Sequence, residues 1–179
     1  MVKKILLAIV GLVVAFCAVA ALQPTQYKVI RSAVISAPQA DVFNLVNDFH
    51  KWAVWSPWEK LDPAMQKTYS GPDSGVGASY AWVGNSDVGE GRMTITVSQP
   101  SDNITIRLEF LKPFESNTVT QFLFKAVGNQ TAVDWTMTGE NNFVAKAFGL
   151  VMGGMDKMIG PDFEKGLAQM KAAAESPAK

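Results

Sequence analysis

An uncharged apolar run near the N-terminus constrains this chain more than any other feature. Ile5–Leu22 contains 18 residues without a charged side chain, and Lys3 and Lys4 precede it. A helix of that length rises roughly 27 Å, close to the ~30 Å hydrocarbon core of a bilayer. The run therefore favours a single-pass membrane anchor over residues 1–23, with a separate domain over residues 24–179.

Two alternatives to an anchor stay open. Ala18-Val19-Ala20 resembles a signal-peptide cleavage site, and cleavage near Ala20 would release a secreted protein. A signal peptide usually has a shorter apolar run of about 7–15 residues. A buried core helix is the other alternative, although the run has no polar face. For an anchor, Lys3 and Lys4 place the N-terminus in the cytoplasm and the domain outside, in the periplasm if the host is Gram-negative.

Charge and residue counts exclude several kinds of partner. The whole chain has 16 basic and 16 acidic residues, and outside the N-terminal segment the acids outnumber the bases. A nucleic-acid binder would normally show a basic excess, so we expect no nucleic-acid partner. Cys17 is the single cysteine and His50 the single histidine. No intrachain disulfide and no site built from several cysteines or histidines can form, and we expect no metal and no cofactor.

Alternation of apolar and polar residues predicts a β-rich domain. Tyr27–Ile35 reads as the first strand, Pro38 begins a short helix that runs to about Asn47, and Phe49–Val54 forms a second short helix. Six strand candidates follow, joined by short turns: Met65–Ser70, Gly77–Val83, Gly91–Val97, Ile104–Phe110, Thr118–Val127 and Thr131–Thr138. Such strands form an antiparallel meander with one covered face and one solvated face. Arg92 and Glu109 fall on the solvated face, where cross-strand ion pairs are expected.

The C-terminal part has helical composition over Phe143–Met152 and Met155–Ala174. Large apolar residues recur there every three or four positions and form one helical stripe: Phe148, Met152, Met155, Ile159, Phe163, Leu167 and Met170. Gly153-Gly154 and Gly160-Pro161 are candidate kinks or breaks. The stripe is available to cover the apolar face of the sheet. We therefore predict an α+β fold in which about seven curved antiparallel strands wrap on a long C-terminal helix, which is contacted by Ile95, Ile106, Phe122 or Trp135.

Several short segments carry a resemblance to a known family by their order and spacing. They are Ser36–Phe43, Trp55–Trp58, Tyr69–Gly71, Gly77–Gly84, Gly89–Met93, Leu108–Phe114, Val133–Trp135 and Phe163–Leu167. Over about residues 27–175 the chain resembles the SRPBCC or START-like superfamily, in its polyketide cyclase/dehydrase and lipid-transport branch. This resemblance implies a helix-grip fold with a hydrophobic cavity between the sheet and the long helix. Members of the superfamily include lipid carriers, ligand sensors and polyketide cyclases.

Large side chains on the inward strand positions and on the terminal helices are the candidate ligand-binding residues. They are Trp55, Tyr80, Trp82, Met93, Phe110, Phe122, Trp135, Met152 and Met155. The same residues would form a solid core if no cavity were left. Trp52, Trp55 and Trp58 either pack under the sheet edge or form an aromatic patch at the mouth of a cavity or facing a membrane.

The sequence leaves two main classes of function. One is a membrane-tethered, non-catalytic binder or carrier of a lipid-like or other hydrophobic molecule. The other is a cyclase or dehydratase acting on a hydrophobic substrate, which needs an acid or base inside the cavity. The strand alternation points no ionisable residue inward, and His50 has no second histidine to support catalysis. We therefore assign no catalytic residue, and a purely structural or partner-binding domain also stays open.

Overall fold

The computed structural model describes residues 1–176, so the last residues of the predicted domain, 177–179, lie outside the described part. Helix α1 (Val2–Ala21) leaves its apolar side chains exposed, and Ala20 is its one buried residue. Because the helix is so exposed, a buried core helix is excluded. The helix is long and apolar enough to cross a membrane, and an N-terminal signal sequence has the same properties. The predicted apolar helix is confirmed, and both remaining interpretations fit it.

One antiparallel sheet organises the described residues, with the spatial strand order β1-β7-β6-β5-β4-β3-β2. Its strands are β1 (Gln26–Ile35), β2 (Gln66–Ser70), β3 (Ser79–Val83), β4 (Glu90–Gln99), β5 (Asn103–Lys112), β6 (Ser116–Val127) and β7 (Gln130–Glu140). The last strand pairs with the first, from Gln26 opposite Glu140 to Ile35 opposite Thr131. The meander predicted from the alternation is confirmed, and β1 extends it at the β7 edge.

Four shorter helical segments and one long helix complete the described chain. Helix α2 (Gln39–Asn47) is followed by two 3₁₀ helices, Phe49–Val54 and Pro57–Lys60, and the chain ends in α3 (Phe143–Met152) and α4 (Met155–Glu175). Asp48 begins the first 3₁₀ helix, because its carboxylate accepts a hydrogen bond from the backbone N–H of His50. The second 3₁₀ helix, Pro57–Lys60, was not predicted from the sequence.

Helix α4 packs directly on the inner face of the sheet. The rings of Trp135 on β7 and Phe163 on α4 are stacked with their centroids 3.9 Å apart. Gly166 permits this approach, since a Cβ atom there would lie 2.7 Å from Trp135 Cζ3 and 3.1 Å from Pro57 Cδ. The predicted contact between Trp135 and the long helix is confirmed, and with it the helix-grip arrangement.

The two glycine pairs of the helical stripe behave differently. Gly153 and Gly154 have φ angles of +87° and +89° and separate α3 from α4. Gly160 and Pro161 instead lie inside α4. Proline removes one backbone donor, and the side chains of α4 anchor this part of the helix to β1: Arg31 donates to Asp156 at 2.8 Å and to Glu164 at 2.7 Å. The stripe therefore breaks once, between α3 and α4.

Candidate ligand-binding cavity

A cavity of about 200 Å³ lies between the inner face of the sheet, helix α4 and the two 3₁₀ helices. Strands β3 to β7 contribute most of its wall: Tyr80, Trp82, Met93, Leu108, Phe110, Thr120, Trp135 and Met137. Helical segments and loops contribute the rest: Trp52, Ser56, Trp58, Glu59, Met65, Asp87, Val88, Ile159 and Asp162. The wall is therefore mainly aromatic and aliphatic, with a few polar groups.

Strand periodicity places the aromatic residues on this wall. Residues two apart on a strand point to the same face, so Tyr80 and Trp82 on β3 both face inward. Their rings stack with centroids 5.9 Å apart, and Phe110 on β5 meets Trp82 edge-on at 5.9 Å. Such aromatic pairs fix one another's orientation. This part of the wall is a connected ring cluster rather than a set of independent side chains.

The volume limits what the cavity can hold. An apolar cavity of about 150 Å³ is enough to bind benzene, whereas sites for drug-sized ligands span about 300–1,000 Å³. A cavity of about 200 Å³ therefore suits a molecule with one ring or a short chain. A two-chain lipid is larger than this volume and would extend out of the cavity.

A buried carboxylate forms the polar end of the cavity. Glu59, on the 3₁₀ helix Pro57–Lys60, has a side chain that is only 7% exposed. Its Oε1 accepts a hydrogen bond from the Tyr80 hydroxyl at 3.0 Å, and its Oε2 pairs with Lys67 Nζ. Burial raises the pKa of the Tyr80 hydroxyl, and the charge and hydrogen bond of Glu59 raise that pKa further. Tyr80 therefore stays protonated at physiological pH and donates a hydrogen bond to Glu59.

His50 and the Arg92–Glu109 pair lie apart from this end of the cavity. His50 stacks on Tyr69 with ring centroids 4.1 Å apart, and its Nδ1 lies 2.9 Å from Asp48 Oδ1. It belongs to a separate small pocket of about 80 Å³. On the outer face of the sheet, Arg92 and Glu109 form the expected cross-strand ion pair at 3.0 Å. Residues 1–176 contain no group of three or more acidic, cysteine or histidine residues placed to hold a metal ion.

A sequence model described as polyketide cyclase / dehydrase and lipid transport matches residues 26–175. The chain belongs to this family. The match covers every strand and both C-terminal helices, and it leaves α1 outside the family domain. No curated protein matches the chain in sequence.

Solved structures share the fold of this polyketide cyclase/dehydrase and lipid-transport domain at low sequence identity. Protein CV1439 from Chromobacterium violaceum has a TM-score of 0.60 and 14% identity, over 86% of this chain and 99% of its own. A protein from Nitrosospira multiformis has a TM-score of 0.59 and 23% identity, over 84% and 97%. The Aha1 dimer from Colwellia psychrerythraea has a TM-score of 0.58 and 16% identity, over 86% and 99%. These likenesses establish the fold of the domain and leave its ligand open.

The structure brings five of the nine predicted ligand-binding residues onto the cavity wall: Tyr80, Trp82, Met93, Phe110 and Trp135. Trp55 and Phe122 are fully buried next to it, with rings 6.0 Å apart, and Trp55 Nε1 donates to the Leu45 carbonyl. Met155 packs partly buried against the core. Met152 is 52% exposed, because the glycine pair separates it from α4. Ligand binding by these residues stays a prediction.

Glu59 was not predicted as a cavity residue, because the candidate lining was inferred from the alternation of residues along the strands. Inward positions were derived from alternation, and Glu59 enters the cavity from a one-turn helix instead. A signal was present, since Ser56-Pro57 is a typical helix start with proline at the first position. Trp52 and Trp58 also lie on the wall, which places two of the three spaced tryptophans at the cavity.

Proposed function

We propose that this chain is a membrane-tethered domain that binds a compact hydrophobic molecule in the cavity and does not change it chemically. Residues 1–23 form the tether and residues 24–179 the binding domain. The observation that carries the proposal is the apolar cavity between the sheet and α4, in a chain of the polyketide cyclase/dehydrase and lipid-transport family.

The wall supplies enough apolar contact for reversible binding. A ring-sized molecule that buries about 150–250 Å² gains roughly 4–6 kcal/mol at about 25 cal/mol per Å². Immobilising the molecule costs part of this free energy. Since about 6 kcal/mol corresponds to a dissociation constant of roughly 40 μM, the apolar wall alone gives binding weaker than that, which suits a domain that takes up and releases its ligand.

Helix α3 supports the membrane tether. It packs against α1, and its start is joined to the residues that follow α1: Asn141 N–H donates to the Thr25 carbonyl at 2.6 Å, and Lys146 Nζ donates to Thr25 Oγ1 at 2.9 Å. None of its residues is buried, and its large apolar side chains face outward: Phe143, Val144, Phe148, Val151 and Met152. Helix α3 therefore lies against the membrane surface at the point where α1 emerges. Lys3 and Lys4 keep the N-terminus in the cytoplasm.

Extraction of the full chain from its native membrane tests the proposed function. Organic extracts of the purified protein are analysed by mass spectrometry, and we expect a hydrophobic small molecule in the wild type. Leu108→Trp places a larger ring in the cavity and should remove it. Leu111→Trp makes the same change at an exposed position of the same strand and should retain it. Equal amounts of the molecule in both variants would refute binding in this cavity.

One observation favours a second candidate, a cyclase or dehydratase. Glu59 places inside the cavity the acid or base that such chemistry requires, next to the Tyr80 hydroxyl. The extracted molecule separates the two functions when it is incubated with fresh protein. Recovery of the same molecule supports binding alone, whereas a product that forms with wild type and is absent with Glu59→Gln supports the enzyme.

A further inference from the structure

Every charged side chain on the described cavity wall is acidic. Glu59 lies deep, with 7% of its side chain exposed, while Asp87 is exposed and Asp162 is half-buried near the surface. The described lining includes no lysine, arginine or histidine. Lys67 pairs with Glu59 but is not itself part of the wall. A ligand that enters the cavity therefore passes the carboxylates of Asp87 and Asp162 and then meets the carboxylate of Glu59.

The deep carboxylate retains capacity to accept hydrogen bonds. A carboxylate has about four lone-pair positions, and the protein uses Glu59 Oε1 for Tyr80 and Oε2 for Lys67. The Tyr80 hydroxyl uses its hydrogen to donate to Glu59. Its oxygen can still accept a hydrogen bond from a further partner. This end of the cavity thus offers acceptors to a ligand.

Donors on the described wall are mostly used within the protein. Three of the four indole N–H groups on the wall and the Thr120 hydroxyl have protein acceptors: Trp52 donates to Val46, Trp82 to Val88, Trp135 to Thr120, and Thr120 to Thr136. Among the described lining residues, the Ser56 hydroxyl and the Trp58 indole N–H are the side-chain donors that remain. Two uncharged donors do not neutralise an anion, and a buried anion without a cationic partner is strongly unfavourable.

We propose that the Glu59–Tyr80 end of the cavity selects hydrophobic molecules that carry a hydrogen-bond donor, a hydroxyl or an amine, and rejects carboxylic acids. The inference rests on the proposed binding function and names its ligand class. Free fatty acids and other apolar anions are excluded by the same groups that accept the donor.

A set of ligands on one ring frame tests this selection in the wild-type full chain, in lipid nanodiscs with empty nanodiscs as the blank. The probes are 4-ethylphenol, 4-ethylanisole, which lacks the donor, and 4-ethylbenzoate, which is an anion at neutral pH. Isothermal titration should show 4-ethylphenol binding about 10-fold or more tighter than 4-ethylanisole, the factor expected for a hydrogen bond to a charged group. Binding of 4-ethylbenzoate should be weaker still.

Variants assign the selection to this end of the cavity. Glu59→Gln removes the charge at nearly constant volume and should reduce the discrimination against 4-ethylbenzoate. Glu109→Gln makes the same change on the outer face of the sheet and should keep the wild-type ratios. If Glu59→Gln does not fold, Tyr80→Phe removes the hydroxyl alone and should lower the preference for 4-ethylphenol over 4-ethylanisole.

The possible failures are distinguishable. Binding of 4-ethylbenzoate or 4-ethylanisole as tight as that of 4-ethylphenol would overturn the selection and leave the proposed binding function in place. If none of the three compounds binds, both the binding function and the selection are overturned. Wild-type ratios in Glu59→Gln and Tyr80→Phe would overturn the assignment to these two residues.

Discussion

Gly166 sets how closely α4 approaches the sheet and therefore how the cavity is closed on that side. Gly166→Ala would place a Cβ atom 2.7 Å from the Trp135 ring. Gly149→Ala is a matched control in α3, where the nearest atom to the new Cβ is 3.7 Å away. Both changes gain the same helix propensity, so the difference between them reports overpacking, which costs about 1–3 kcal/mol.

Thermal unfolding of both full-length variants in the same detergent, followed by near-ultraviolet circular dichroism of the tryptophans, measures this difference. We expect Gly166→Ala to be the less stable of the two. Equal stabilities would mean that α4 stands further from Trp135 than the structure places it.

Individual residues show what sequence can and cannot predict at this scale. The inward positions of Tyr80 and Trp82 follow from strand period alone. The contact of Glu59 with Tyr80 joins residues on different elements. It depends on a short helix that no periodic pattern of apolar residues predicts. A one-turn helix is too short to show the spacing from which longer helices are predicted.

At the scale of elements, helix α3 has an environment that can be tested with site-specific labels. Cys17 in α1 is the only cysteine of the chain and is exposed, so it can carry an environment-sensitive fluorophore. Phe148→Cys in a Cys17→Ala background moves the fluorophore to α3. Leu123→Cys in the same background moves it to an exposed position on the sheet. In lipid nanodiscs, doxyl lipids should quench the fluorophore at positions 17 and 148, and iodide should quench it at position 123.

The three positions separate the possible errors in this assignment. Quenching by iodide at position 148, with position 17 still quenched by lipid, would place α3 in water and remove its role at the membrane surface. Quenching by iodide at position 17 would contradict the tether itself.

Strands were predicted more accurately than helices for a physical reason. All seven strands were predicted, and in six of them alternation reflects one face that is more buried than the other, whereas every residue of β2 is exposed. The apolar stripe over residues 148–170 was correct as a pattern, yet it spans two helices, since Gly153 and Gly154 take left-handed φ angles. The spacing of apolar side chains does not show where the backbone turns. Because of this turn, Met152 faces outward.

For the whole molecule, the fold was predictable and the cavity was not. The order of strands and helices, with the family resemblance, implied the helix-grip arrangement, and the structure adds that β1 pairs with β7. Alternation states which side chains face inward and says nothing of the volume left between them. A filled core and a cavity of about 200 Å³ have the same hydrophobic pattern, so only the packed structure distinguishes them.

Three methionines on the cavity wall allow ligand binding in the cavity to be tested directly at the proposed site. Met65, Met93 and Met137 line the cavity, whereas Met158 and Met170 lie elsewhere on α4. The full chain, labelled with ¹³C at its methionine methyl groups and held in lipid nanodiscs, is titrated with 4-ethylphenol. We predict saturable shifts of the Met65, Met93 and Met137 signals, constant Met158 and Met170 signals, and loss of the shifts in Leu108→Trp. Unchanged signals of the three wall methionines at saturating 4-ethylphenol, or equal shifts at Met158 and Met170, would contradict ligand binding in this cavity.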